Sequence, residues 1–175
     1  MKIQSLSYLL IETTNLQAWA DYAKDVVGLM KNDSLSNEQN LYLRMDEKFF
    51  RFHITMGDSQ KFLAAGFSLS DKAAFEEAKK ELDHANIDYE DLDDEIAELR
   101  CVEECIGLHD PAGNRLELSY GCKDSSEPFV STQDIQGFIT KGLGFGHVVF
   151  AAPDLEPAHR FYIDVLGFGD SDYMN

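Results

Sequence analysis

Five histidines, three cysteines and an eleven-residue acidic run are the residues of this chain whose chemistry could exceed a structural role. Cys101 and Cys105 stand four apart, not in the Cys-x-x-Cys knuckle of a zinc site. No second pair completes a set of four ligands, and no histidine lies close in a pattern that would activate a thiolate. Cys101, Cys105 and Cys122 are therefore expected as reduced core or surface residues. The acidic run, Asp88 to Glu98, lacks the spacing and turn glycine of a calcium loop, so a solvated helix face or loop is expected. His53 alternates on an apolar strand (Phe50-Arg51-Phe52-His53-Ile54) and reads as a partly buried strand histidine. His84 and His109 fall near a helix end and a turn, and His159 on the outside of a helix; none of these needs a function. His147 stands in the strand-like run Gly146–Ala151. Nucleophile-elbow, phosphate-loop and His-Glu-x-x-His patterns are absent. Gly142-x-Gly144-x-Gly146 precedes a strand-like run where a phosphate loop would follow one, so it reads as a flexible junction.

The elements that must position these residues can be read from periodicity. Ser5–Ile11 has strand character, and Asn15 caps a helix carrying Leu16, Trp19, Tyr22, Ala23 and Val26 at helical spacing, stopped by Gly28. Leu41–Met45 and Phe49–Met56 alternate like a hairpin, and Phe62–Leu69 returns as a strand. Asp71 caps a helix to about His84, with Ala74, Phe75, Ala78 and Leu82 on one face. Cys101–Leu108 and Arg115–Tyr120 make a further pair around the turn Asp110-Pro111-Ala112-Gly113-Asn114. Gly121–Lys141 is polar and turn-rich, as a linker is. Then come the run at Gly146–Ala151, a cap at Asp154, a helix over Pro157–Val165 and a stop at Gly167.

Displaced by 139 residues, Tyr8–Met30 lies over His147–Gly169 without a gap. Leu16, Asp25, Val26 and Gly28 meet Leu155, Asp164, Val165 and Gly167, and cap meets cap. Ala64 precedes its cap, Asp71, by the same seven residues that separate Tyr8 from Asn15 and His147 from Asp154. The chain thus holds three strand–cap–helix beginnings. After the first two come the strands that complete a β-α-β-β-β unit.

Composition bounds the partners. A formal net charge of −17, from 32 carboxylates against 15 Lys and Arg, makes nucleic acid and anionic membranes poor partners. The apolar fraction of 44% fits a globular chain, and no stretch reaches the roughly 20 apolar residues of a membrane helix. Met1-Lys2-Ile3-Gln4-Ser5 does not open a secretory signal, so a cytoplasmic location is expected.

Phe145-Gly146-His147-Val148-Val149-Phe150, Pro153-Asp154 and Phe161-Tyr162-x-Asp164-Val165-Leu166-Gly167-Phe168 together resemble the start of the catalytic domain of the type I extradiol ring-cleaving dioxygenases. This is the family that acts on dihydroxybiphenyl-type catechols. Asp110-Pro111-Ala112-Gly113-Asn114-Arg115-Leu116-Glu117-Leu118 with Tyr120-Gly121 resembles the end of that family's N-terminal domain, and Leu43-Arg44-Met45-Asp46 its middle. The resemblance implies an α+β vicinal oxygen chelate fold, shared with glyoxalases and bleomycin-resistance proteins. Its paired β-α-β-β-β modules form a curled mixed sheet, with a truncated third module at the C-terminus. It implies a non-catalytic domain over 1–121, a linker over 122–144, and the first strand and helix of an incomplete catalytic domain over 145–175.

The implied chemistry is Fe(II)-dependent ring opening of a catechol-type substrate with incorporation of both atoms of dioxygen. The iron is held by two His and one Glu. His147 stands where the first metal ligand would be; the second His and the Glu are expected beyond Asn175. The matching positions of the first domain are Tyr8, Ala64 and Glu117. Only Glu117 could bind iron, and pairing with Arg115 or solvent is expected for it. This chain alone is therefore expected to be inactive and to hold iron weakly if at all, and a homo-oligomer is expected. The other reading is a non-catalytic module that binds a small ligand, or a truncated remnant of the same superfamily. A lone strand and helix over 145–168 exposes a sheet edge, so it is expected to be disordered, to pack across the first domain or to pair with another chain.

Overall fold

A computed structural model describes residues 1–140 and 144–171; Gly142 of the glycine junction and the Asp172–Asn175 ending lie outside the described residues. Eight strands of mixed direction and a few helices fall into two compact units. One comprises Ser5–Gly66 with Cys122–His147; the other comprises Met1–Gln4, Phe67–Gly121 and the chain from Val148 onward.

In the first unit, β1 (Ser5–Thr13) leads through α1 (Leu16–Tyr22) to β2 (Met30–Lys31), β3 (Asn40–Arg44) and β4 (Phe52–Met56), and then to β5 (Lys61–Ser68). The strand order is β2-β3-β4-β1-β5. The hairpin β3–β4 is antiparallel, with Leu41 opposite Ile54. β4 returns parallel to β1, with Leu9 opposite Phe52, and α1 is the crossover that a parallel pair requires. Because side chains alternate across a strand, Leu41, Leu43 and Ile54 share the face that α1 covers. With Ala23 and Leu29 they form a buried cluster, flanked by Ile11, Leu16, Trp19 and Phe52.

Asn15 caps α1 as expected, its Oδ1 accepting from the Ala18 amide at 3.0 Å. The helix does not run on regularly to Val26: Ala23–Val27 widens into a π turn, and Gly28 closes it with φ 87°. The amides of Gly28 and Leu29 both donate to the Ala23 carbonyl, at 2.9 and 2.8 Å. The extra residue in that turn rotates everything after it. Helical spacing therefore assigns Val26 to the inner face, whereas its side chain is 62% exposed.

In the other unit, Asp71 caps α2 (Lys72–His84) through the Ala74 amide at 2.9 Å. Phe75, Ala78 and Leu82 are the buried face, as their spacing requires. β7 (Glu104–His109) and β8 (Arg115–Tyr120) are an antiparallel hairpin, with Glu104 opposite Tyr120 and His109 opposite Arg115. Phe75 packs on Tyr120, ring centroids 5.3 Å apart. The acidic run is more ordered than charge alone suggests. Tyr89–Asp91 is an edge strand, β6, on β7, and Asp93 caps the short helix α3 (Asp94–Leu99) through Ile96 at 2.9 Å. Cys101, expected to open a strand, instead turns the chain with φ 54°, and β7 begins three residues later.

The strand expected over Gly146–Ala151 is not formed; residues 146–152 have no ladder partner among the described residues. Strand character is realised only in pairing. The helix after it does form. α4 (Leu155–Arg160) passes into a π turn over Phe161–Val165, with Ala158, Phe161 and Leu166 buried in the same unit as β7 and β8.

Leu82→Ala, at a side chain with no exposure, is expected to cost about 2–5 kcal/mol in urea unfolding, from lost transfer energy and the cavity left behind. Glu98→Ala, on the exposed side of α3, is expected to stay within about 0.5 kcal/mol of the parent chain.

Candidate functional site

The positions singled out by the repeat and by the resemblance can be taken in turn. Tyr8, on β1, is 1% exposed, and its ring lies over Gly66, where an added Cβ would run into the ring. Around it stand Phe50, at 5.3 Å between centroids, and Tyr42, edge-on to Phe50 at 5.2 Å. His53 stacks on Tyr42 at 4.1 Å, and its Nε2 is 2.8 Å from Asn40 Oδ1. His53 is thus fully inside, further than its alternation indicates, and serves as part of an aromatic wall. Ala64 is wholly buried and brings no ligand atom.

Glu117, on β8, keeps the expected Arg115 at ion-pair distance but has a closer partner that was not expected. Its carboxylate is 1% exposed and is gripped by Arg100, Nε to Oε2 at 2.8 Å and Nη2 to Oε1 at 3.2 Å. Arg115 Nε is 4.0 Å away, and its Nη2 turns to Glu90 at 2.7 Å. The reason is local. Arg100 ends α3 at the level where Glu117 points inward, and a two-point guanidinium grip is the strongest available neutraliser of a buried carboxylate. A carboxylate so engaged is committed to a structural ion pair.

A polar network signalled only by the Leu-Arg-Met-Asp motif organises the first unit. The Arg44 side chain has no exposure. Nε donates to the Lys48 carbonyl at 3.0 Å, and Nη2 to the carbonyls of Asp46 and Glu127 at 3.2 and 2.8 Å. Arg51 holds Asp46 through Nε at 3.0–3.1 Å and Nη2 at 2.6 Å, and reaches the Ser7 carbonyl through Nη1 at 2.8 Å. Beside it opens a cleft of about 450 Å³ lined by Met45, Glu47, Pro128, Phe129, Phe138 and Ile139, among others.

Cys101 and Cys105 are buried, and Cys122 is half-buried. Burial, with Glu117 nearby, pushes the Cys105 thiol up to about 12. Burial of that kind disfavours the thiolate and makes the sulfur a poor nucleophile. His147 is exposed. His159 bonds Asp170 at 3.1 Å, and His84 Nδ1 lies 2.8 Å from the Lys80 carbonyl. Among the described residues no three His, Cys, Asp or Glu side chains come together as a metal site.

Residues 6–57 match the family described as "Dihydroxybiphenyl dioxygenase BphC D1". The chain is 35% identical over 174 residues to an iron-dependent extradiol dioxygenase of Rhodococcus jostii (strain RHA1), covering 99% of this chain and 57% of that protein. It is 31% identical over 176 residues to a 3-methylcatechol 2,3-dioxygenase of Pseudomonas putida (strain F1), covering 100% and 60%. A biphenyl-2,3-diol 1,2-dioxygenase of Paraburkholderia xenovorans (strain LB400) is 32% identical, with 100% and 58% covered. A crystal structure of catechol 2,3-dioxygenase superposes with a TM-score of 0.90 at 33% identity, over 95% of this chain and 59% of that one. The chain thus spans 57–60% of the length of these curated relatives. No helix among the described residues is long and apolar enough to cross a membrane.

Arg44→Met is expected to destabilise the chain by about 3 kcal/mol or more in chemical denaturation, because it strips the donors from three carbonyls. For Cys105 the linkage has a definite sign. The folded chain keeps the thiol proton where the unfolded chain loses it. Its contribution is therefore fully present below the ordinary value of 9.0 and is lost as pH climbs toward 12. With iodoacetamide at pH 8.5, Cys122 is expected to label quickly and Cys105 only on unfolding, as peptide mass spectrometry would read directly.

Proposed function

We propose that this chain, a relative of the type I extradiol ring-cleaving dioxygenases with their vicinal oxygen chelate fold, supplies the non-catalytic first domain of such an enzyme together with the opening of its catalytic domain. The supporting observation is similarity along the whole chain, at 31–35% identity, to curated proteins named as extradiol, catechol or biphenyl-diol dioxygenases. The domain division proposed is 1–121, a linker over 122–144, and 145–175 belonging to the catalytic half.

In this reading the first domain is scaffold. Its three ligand-equivalent positions hold a packed phenol, a methyl group and a carboxylate bound by Arg100. His147 is the residue that would touch the metal, as a neutral imidazole presenting one ring nitrogen. Fe(II), when bound by His147 with a second His and a Glu supplied from elsewhere, would bring together a catechol-type substrate and dioxygen. The protein would work in the cytoplasm.

The intact mass of the protein made in its own cell tests this first. The reading expects a product well above 19.8 kDa whose further sequence holds a His and a Glu. It also expects that product to cleave 3-methylcatechol or 2,3-dihydroxybiphenyl with Fe(II), and His147→Ala to cut kcat by at least about 100-fold. A native product of 19.8 kDa without cleavage would overturn it in favour of a small-ligand-binding module.

A further inference from the structure

The turn Asp110-Pro111-Ala112-Gly113-Asn114 joins β7 to β8, and the two oxygens of Asp110 do different work. Oδ1 accepts the backbone amides of Ala112 and Asn114, at 2.9 and 2.8 Å. That closes the turn, with Gly113 in the left-handed region at φ 86°. Oδ2 makes no backbone bond; it accepts Asn114 Nδ2 at 2.7 Å and the Tyr162 hydroxyl at 2.9 Å. Asn114 Nδ2 also donates to the Ala151 carbonyl at 3.1 Å. Asp110 is only 5% exposed, so these charge-assisted bonds are made away from bulk water. Tyr162 also meets Phe150 and Phe168, near-parallel rings 6.1 and 5.7 Å away, and Phe168 meets Phe67 at 5.5 Å.

We propose that this turn is a latch: Asp110 Oδ2 and the Asn114 amide grip Tyr162 and Ala151, and so fix where the segment following His147 lies on the β7–β8 hairpin. Asp110, Asn114 and Tyr162 are then positioning residues, and the ligand-free first domain has a task, to set the course of the chain just downstream of His147. Only the meaning given to His147 rests on the proposed function; the latch itself does not.

The division of labour makes a clean test. In Asp110→Asn the side-chain carbonyl can still close the turn, but the amide that replaces Oδ2 can no longer accept from Asn114 Nδ2 or from the Tyr162 hydroxyl. Tyr162→Phe removes one hydroxyl and keeps the ring. Hydrogen exchange followed by mass spectrometry on the 175-residue chain should show residues 155–166 exchanging about tenfold faster in either variant, with 104–120 unchanged and the double variant no faster than the singles. In a chain with labelled tyrosine, the Tyr162 phenol, held above the usual range by burial and by Asp110, should ionise at lower pH in Asp110→Asn. Unchanged exchange over 155–166, equal loss over 104–120, additive effects in the double variant or an unmoved phenol would each overturn the latch. A longer native product that fails to cleave catechols while these exchange results hold would sink the proposed function and leave the latch standing.

Discussion

A guanidinium with no contact with water is a large debt of solvation, and Arg44 discharges it almost entirely to backbone. Its donors go to the carbonyls of Asp46, Lys48 and Glu127, while the nearest carboxylate, that of Glu127, is 3.6 Å away. Burying an ion is tolerable only when its hydrogens are matched, so the turn after β3 and the stretch around Glu127 must both stay where they are. The second buried guanidinium, Arg51, then ties Asp46 to β1 through the Ser7 carbonyl. Lys48 reaches Asp124, and Ser131 and Thr132 cap the carbonyls of Gly28 and Lys24. A polar, turn-rich stretch is thereby bound along much of its length.

What could be read from the amino acids, and what could not, divides along a physical line. Elements whose signals are local were legible: the Asn15, Asp71 and Asp154 caps, the buried face of α2, and the β7–β8 hairpin around its Asp-Pro-Ala-Gly-Asn turn. The resemblance to extradiol dioxygenases, and with it the fold, rested on motif order and was equally legible. The π turns were not, because a one-residue insertion in a helix leaves composition and caps unchanged. Gly146–Ala151 reads as a strand because its side chains suit one, but a strand exists only beside a partner.

The candidate site divides in the same way. That Ala64 offers no ligand atom follows from residue type alone, whereas the packing of the Tyr8 ring shows only in the fold. That Glu117 is held most closely by Arg100, with Arg115 farther off, depends on where α3 ends, and α3 lies in a stretch whose charge disguised it as surface. Arg44 could be noticed as part of a motif, yet a buried arginine that bonds carbonyls has no spacing signature. Long-range polar contacts of this kind become visible only when the chain is folded.

The two π turns extend the internal repeat from sequence into backbone geometry. Asn15 to Gly28 and Asp154 to Gly167 are each thirteen residues, and each interval ends its helix in a widened turn before a left-handed glycine. α2, begun by the corresponding cap at Asp71, has no such turn. Widened turns are rare, so the same irregularity at the same distance from each cap is the structural counterpart of the 139-residue repeat, shared by those two modules and not by the one that α2 opens.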